Sequence, residues 1–201
     1  MRKLLEKLER SLPGHHISIK IMKAKILETG RLRLRPLERK DAPPIQKYAG
    51  DLRVAEMTLL IPHPYPENAA INWIEGCLTS RLPGGPFAII LREEEVFVGV
   101  IELSIDDDEL RAEVGYWVGP PFWGRGYCTE ALKAVINYGF EDLGLVRIAA
   151  KHLPQNLASG RVQEKAGLKK EGLLRCEAIR FGVPSDSVVR AITRPDWENQ
   201  K

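Results

Sequence analysis

Residues 119–131 read GPPFWGRGYCTEA, and Gly124 and Gly126 fall where an alternating run, RAEVGYWV, gives way to a helix-like run. A helix that starts here leaves the amides of Gly124, Arg125, Gly126, Tyr127, Cys128 and Thr129 without intrahelical acceptors. They point at a common spot. With the positive end of the helix dipole they form an anion site, and the missing Cβ atoms at 124 and 126 let phosphate oxygens approach the backbone. Arg125 adds a positive charge at the rim. A tight turn that merely needs glycine is the competing reading of a G-x-G. No third glycine completes G-x-G-x-x-G and no G-K-[ST] follows, so the dinucleotide and P-loop fingerprints are both incomplete.

Other reactive side chains form no self-evident cluster. His15, His16, His63 and His152 lack H-E-x-x-H or any other ligand spacing, so no metal is expected. Cys77, Cys128 and Cys176 are odd in number and far apart, which argues against disulfides or zinc and for a reducing cytoplasm. Cys128 sits at a helix start, where a thiol pKa can fall. The formal charge of +3, scattered over 30 basic and 27 acidic residues, does not argue for nucleic acid but tolerates a small anionic ligand. No run is apolar enough for a membrane span or signal peptide.

The elements that must position these residues can be read from periodicity. The 201 residues suffice for a single domain with its own core. Leu4, Leu5, Leu8 and Leu12 predict a short helix in an N-terminal extension over residues 1–25, followed by a strand-like tail. A domain over residues 26–196 follows. RLRLRPL (31–37) predicts a half-buried strand with its basic residues outward, and Asp41 is the expected N-cap of a helix running to about Gly50. PENAAINWIEGCLTSR predicts a second helix beyond the loop LLIPHPYP. FAIIL, VFVGVIELSI and RAEVGYWV predict an antiparallel meander with an acidic turn at Asp106 to Glu109. YCTEALKAVINYGFEDLG predicts the longest helix, closing on Gly144. VRIAAKHL reads as a strand, NLASGRVQEKAG as a helix capped by Asn156, and LLRCEAIRF with SVVRAI as a closing hairpin.

This order of elements, together with WGRGYCTEA, AEVGYWV and NLASGRVQEKAGL, resembles the GNAT superfamily of acetyl-CoA-dependent N-acetyltransferases. Within it the chain is most similar to the ribosomal-protein alanine acetyltransferase (RimJ/RimL-like) branch. The resemblance runs from about Leu27 to Pro195. The family's R/Q-x-x-G-x-G/A turn reads here from Pro121 to Gly126, with proline in place of the usual first residue. The implied fold is α/β (α+β): a mixed, mostly antiparallel sheet of six to seven strands with splayed central parallel strands and about four helices.

The resemblance implies that acetyl-CoA is the cosubstrate, with pyrophosphate on the glycine turn. Its pantetheine arm would lie along Tyr116, Trp117 and Val118, where a backbone N–H meets the thioester oxygen. Asn156 would face the pantetheine amides and Ser159 the sulfur as proton donor, although both residues also make sense as plain helix-start residues. Glu113, on the strand that forms the floor, is the expected base, with Glu102 on its neighbour as the other carboxylate. The loop His63 to Pro66 would wall the acceptor side. The expected acceptor is a primary amine, either a small molecule or the N-terminus of a protein such as a ribosomal protein. An α-amine, with a reference pKa near 8 against about 10.4 for lysine, needs little help to lose its proton. A non-catalytic acyl-CoA-binding or regulatory module is the alternative on the same fold, and the chain is expected to be a monomer or a homodimer.

Overall fold

The structure is a computed structural model that describes residues 25–80, 84–106 and 110–200. The expected N-terminal helix, most of the tail after it and the tip of the acidic turn lie outside these residues. One eight-stranded sheet runs in the order β1-β2-β3-β4-β5-β6-β8-β7. Its strands are β1 (Leu27–Glu28), β2 (Leu32–Pro36), β3 (Phe87–Leu91), β4 (Val96–Asp106), β5 (Arg111–Val118), β6 (Arg147–His152), β7 (Lys169–Arg180) and β8 (Val183–Thr193). The helices are α1 (Ala42–Ala49), α2 (Leu52–Ala55), α3 (Ala69–Ser80), α4 (Tyr127–Glu141), α5 (Leu157–Lys165) and α6 (Arg194–Glu198). The two-residue β1 carries the strand count past the six or seven expected. The four-residue α2 and five-residue α6 were too short to show a period.

Both faces of the central strands are covered, so FAIIL is buried at all five positions rather than alternating. Phe87, Ile89 and Leu91 join a core under α4, built from Ala131, Leu132, Val135, Ile136 and Phe140 as the helical period requires. Ala88 and Ile90 face the opposite way, with Ile45 of α1 and Ala70 and Ile74 of α3. Gly139 lets α4 approach the sheet closely, since a Cβ there would lie 2.7 Å from Ile148 Cδ1. Leu78 on α3 is exposed.

β4 and β5 pair along their whole shared length, from Gly99 with Val118 to Asp106 with Arg111. β5 then meets β6 in the sheet's parallel pair, but only Arg111, Ala112 and Glu113 find partners there. β6 continues against β8 as far as His152. The two central strands therefore diverge beyond Glu113, opening the sheet from within.

Three local expectations change. Arg35 points inward rather than to solvent, and its guanidinium makes two 2.8 Å hydrogen bonds to Asp41. Asp41 therefore does not cap α1 through its side chain. It instead accepts from the Glu38 amide at 2.8 Å, closing the bend between β2 and α1. Gly144 adopts φ +71° beyond the cap residue Asp142, one position later than the simplest glycine stop. Among the described residues no helix is long and apolar enough to cross a membrane.

Arg35 is 9% exposed and Asp41 2%, so removing one partner strands a buried charge. Asp41→Ala should lower the unfolding free energy by about 3–5 kcal/mol, read from denaturant midpoints at unchanged m-value. A loss below about 1 kcal/mol, the size of an exposed pair, would show that the pair does not organise this corner.

Candidate active site

Gly124 and Gly126 have φ of +75° and +79°, the left-handed turn for which glycine is suited. A Cβ at Gly124 would meet nothing within 4 Å, and one at Gly126 would meet only Arg31 Nη2 at 3.5 Å. The turn is thus an open dish, and what makes glycine fit is backbone conformation. The first carbonyl of α4 to be used is that of Gly126, which accepts from Glu130 N at 3.1 Å. No side chain caps the helix at Gly126. The amides of Tyr127, Cys128 and Thr129 therefore lack intrahelical acceptors, and these residues line the same cleft as Gly124 and Gly126.

Arg125 is placed differently. It flanks the dish without lining the cleft, and its carbonyl accepts from Arg31 Nη1 at 3.0 Å. Arg31 is the cation that sequence reasoning missed, since it comes from the β1–β2 turn 94 positions away. Its guanidinium lies 4.8 Å from the Tyr127 ring centroid and 2.7 Å from Glu130. Burial pushes the Glu130 carboxyl up, but hydrogen bonds from Thr29 and Arg31 outweigh it and hold its pKa below the ordinary value.

The divergence of β5 from β6 opens a cleft of about 1340 Å³. Tyr116, Trp117 and Val118 line it, as their strand position predicts. Val114 to Val118 pair only with β4. One group on the free edge is already used: Val118 O accepts from the Trp123 indole at 2.6 Å. Across the gap Asn156 caps α5, its Oδ1 accepting from Ser159 N at 3.0 Å while its Nδ2 donates to Met57 O at 2.9 Å. Both ends of that amide are committed within the protein.

Ser159 Oγ lies 2.8 Å from the Tyr116 hydroxyl and accepts from Gln163 Nε2 at 3.2 Å. Burial, helped by nearby Cys128, pushes the Tyr116 phenol well above its ordinary pKa, so it remains protonated at neutral pH. The sequence placed Tyr116 on this edge for its backbone. The structure adds its hydroxyl to that of Ser159.

The opposite face of β5 carries Glu113, Gly115 and Trp117, opposite Ser104, Glu102 and Val100 of β4. Glu113 is half exposed and pairs with Lys151 at 3.1 Å, which also holds Glu177 at 2.8 Å. Glu102 has no ion pair or hydrogen bond among the described residues. Its carboxylate lies over Gly115, where a Cβ would sit 3.8 Å from Oε1, and burial pushes its pKa up. Tyr65 and Pro66 of the expected loop line this side, together with Ile61 and Pro62, whereas His63 and Pro64 do not.

His152 is buried, its Nδ1 donating to Leu153 O at 2.9 Å, and burial lowers its pKa. Gly160 of α5 makes room for that ring, since a Cβ there would be 3.1 Å from Nε2. Burial pushes the Cys128 thiol up to about 12, opposite to the fall that a helix start alone would give. All three cysteines are free, and among the described residues no group of His, Cys, Asp and Glu is arranged to hold a metal.

Comparison with known proteins agrees with this geometry. The chain is 36% identical over 152 residues to the uncharacterized N-acetyltransferase p20 of Bacillus licheniformis, covering 74% of this chain and 85% of that protein. It is 31% identical over 113 residues to the [ribosomal protein uS5]-alanine N-acetyltransferase of Escherichia coli, covering 55% of this chain and 58% of the relative. The structure of Mycobacterium smegmatis RimJ in complex with CoA-disulfide superposes with a TM-score of 0.75 at 26% identity, covering 86% of this chain and 88% of that one. Residues 31–169 match the acetyltransferase (GNAT) domain, and the chain belongs to that family of acetyltransferases.

Proposed function

We propose that this acetyltransferase moves an acetyl group from acetyl-CoA directly to a primary amine, such as the α-amine of a peptide or protein N-terminus. The observation that carries the reading is the open dish of amides at the start of α4, continuous with the unpaired edge of β5. The dish suits a pyrophosphate, with Arg31 as an adjacent cation, and the edge suits the amides of a pantetheine arm. Asn156, already bonded at both ends, would shape the arm's path rather than grip it. A cytoplasmic setting suits the three free thiols.

The chemistry requires that a neutral amine attack the thioester carbon, forming the C–N bond as the C–S bond breaks. We assign the base to Glu102 rather than Glu113, because Glu113 already shares Lys151 with Glu177. The amine proton passes to Glu102, either directly or through water. A β5 backbone N–H opposes the charge on the thioester oxygen, a role worth about 3–4 kcal/mol in comparable acyl transfers. The departing thiolate accepts a hydrogen bond from the Tyr116–Ser159 hydroxyl pair and takes a proton through it from water as Glu102 releases the amine proton to solvent, so the protons balance over the cycle.

Three outcomes test this. Acetyl-CoA at 100 times its dissociation constant should stabilise the chain by about 2.7 kcal/mol. Gly126→Asp, which places a negative side chain in the dish, should abolish that stabilisation while the protein stays folded; a full shift in the variant would exclude the dish as the cofactor site. Tyr116→Phe and Ser159→Ala should each lower kcat about tenfold or more with acetyl-CoA affinity nearly unchanged, because the donor matters as the bond breaks. A drop in melting temperature with unchanged turnover would leave the pair a structural role.

The third outcome follows from the raised pKa of Glu102. A base must be deprotonated, so kcat should rise with pH through a limb above the ordinary carboxylate range, where a protonated Glu102 still suppresses the rate. Glu102→Gln should remove this limb and most of the activity. Retention of the limb in the variant would return the base role to another group.

A further inference from the structure

Resting on the assignment of Glu102 as base, the space around that carboxylate describes the acceptor. Glu102, Val100 and Trp117 face the α1 and α3 side of the sheet. There the cleft is walled by Ile61, Tyr65 and Trp73. These three walls, two of them aromatic, are half buried and pack against the second core cluster. The loop that supplies Ile61 and Tyr65 is tied to β7 by Arg180, whose guanidinium donates to the carbonyls of Ala55, Leu59 and Ile61. The wall is therefore fastened at a defined distance from the sheet.

Charge in the cleft points the same way. Its acidic lining residues are Glu102, Glu113 and Glu177, and the latter two share Lys151. Arg53, Arg161 and Lys165 add further positive charge. A polyamine would bring a second ammonium into a chamber with one unpaired carboxylate and walls that cannot solvate it. An amine on an apolar body would place its nitrogen at Glu102 and exchange water for indole and phenol surface.

We propose that the acceptor is a primary amine borne on a bulky apolar or aromatic group with no second cationic charge near it. Phenylalanine- and leucine-initiated peptides and simple arylalkylamines share this chemistry. Peptides with small first residues, which a ribosomal-protein type of acceptor suggests, would leave the chamber unfilled.

The test measures free thiol released from acetyl-CoA by the full chain. Acceptors are tripeptide amides that begin with Phe, Leu or Gly and are otherwise identical, together with phenethylamine and spermidine. The bulky apolar acceptors should exceed the Gly peptide and spermidine by at least about tenfold in kcat/KM, the scale on which an apolar pocket discriminates. Comparing the peptides with phenethylamine separates a peptide source from a small-molecule one. Trp73→Ala should pull the Phe-to-Gly ratio toward unity. Tyr65→Ser provides the same reading if Trp73→Ala fails to fold, with retained stabilisation by acetyl-CoA as the folding check. Spermidine or the Gly peptide matching the bulky acceptors, or variants that slow every acceptor by the same factor, would overturn the acceptor class while leaving acetyl transfer intact. Absence of thiol release from the whole panel would overturn the proposed activity as well.

Discussion

The parallel pairing of β5 with β6 stops after three residues, and the cleft depends on that interruption. A strand edge inside a sheet normally satisfies its amides and carbonyls on both sides, and leaving them unpaired carries a cost when water is excluded. Here β4 holds β5 along one side and β8 holds β6 along the other, so neither strand loses its place when the two part. The gap is spanned by a side-chain contact, Tyr116 to Ser159, and is roofed at one end by the Trp123 indole on Val118 O. Both contacts lie along the open edge.

The start of α4 is the second consequence, because the turn that leaves β5 must reverse direction within a few residues. Two left-handed glycines accomplish this and expose the first-turn amides. Glu130 lies in that first turn, where a carboxylate favours the helix dipole but opposes an incoming anion. Arg31 offsets that charge, held by Glu130 itself and by the Arg125 carbonyl. The same ion pair ties the β1–β2 turn to the glycine turn, so one contact serves both the fold and the electrostatics of the dish.

Most of the fold was legible because its strands and its four helices of eight or more residues follow clear periods, and because Asn156 and the 124–126 glycines mark helix starts. What escaped was decided by contacts between distant segments. Arg35 looks like a solvent-facing residue in RLRLR, and only Asp41 turns it inward. Arg31 carries no local sign of its partnership with residue 125. Glu102 and Glu113 are equivalent as strand carboxylates in sequence. Their difference comes from Lys151 on β6, which pairs with one, and from Gly115 on β5, which leaves room for the other. Cys128 shows the same limit, since its burial, which helix position does not reveal, decides its pKa.

The alternation of β5 also divides the proposed reaction between the two faces of the sheet. Val114, Tyr116 and Val118 look toward α4 and the dish, while Glu113, Gly115 and Trp117 look toward α1 and α3. A proton leaving the amine on the Glu102 face and a proton arriving at sulfur on the Tyr116 face are thus kept apart by the strand itself. No single side chain has to serve as both acid and base, and the two can hold different pKa values because one is buried against α5 and the other over a glycine. On this proposal a change on the α1 and α3 side would alter which amine is accepted without disturbing the surface assigned to the phosphates, so the period of one short strand would separate acceptor choice from cosubstrate binding.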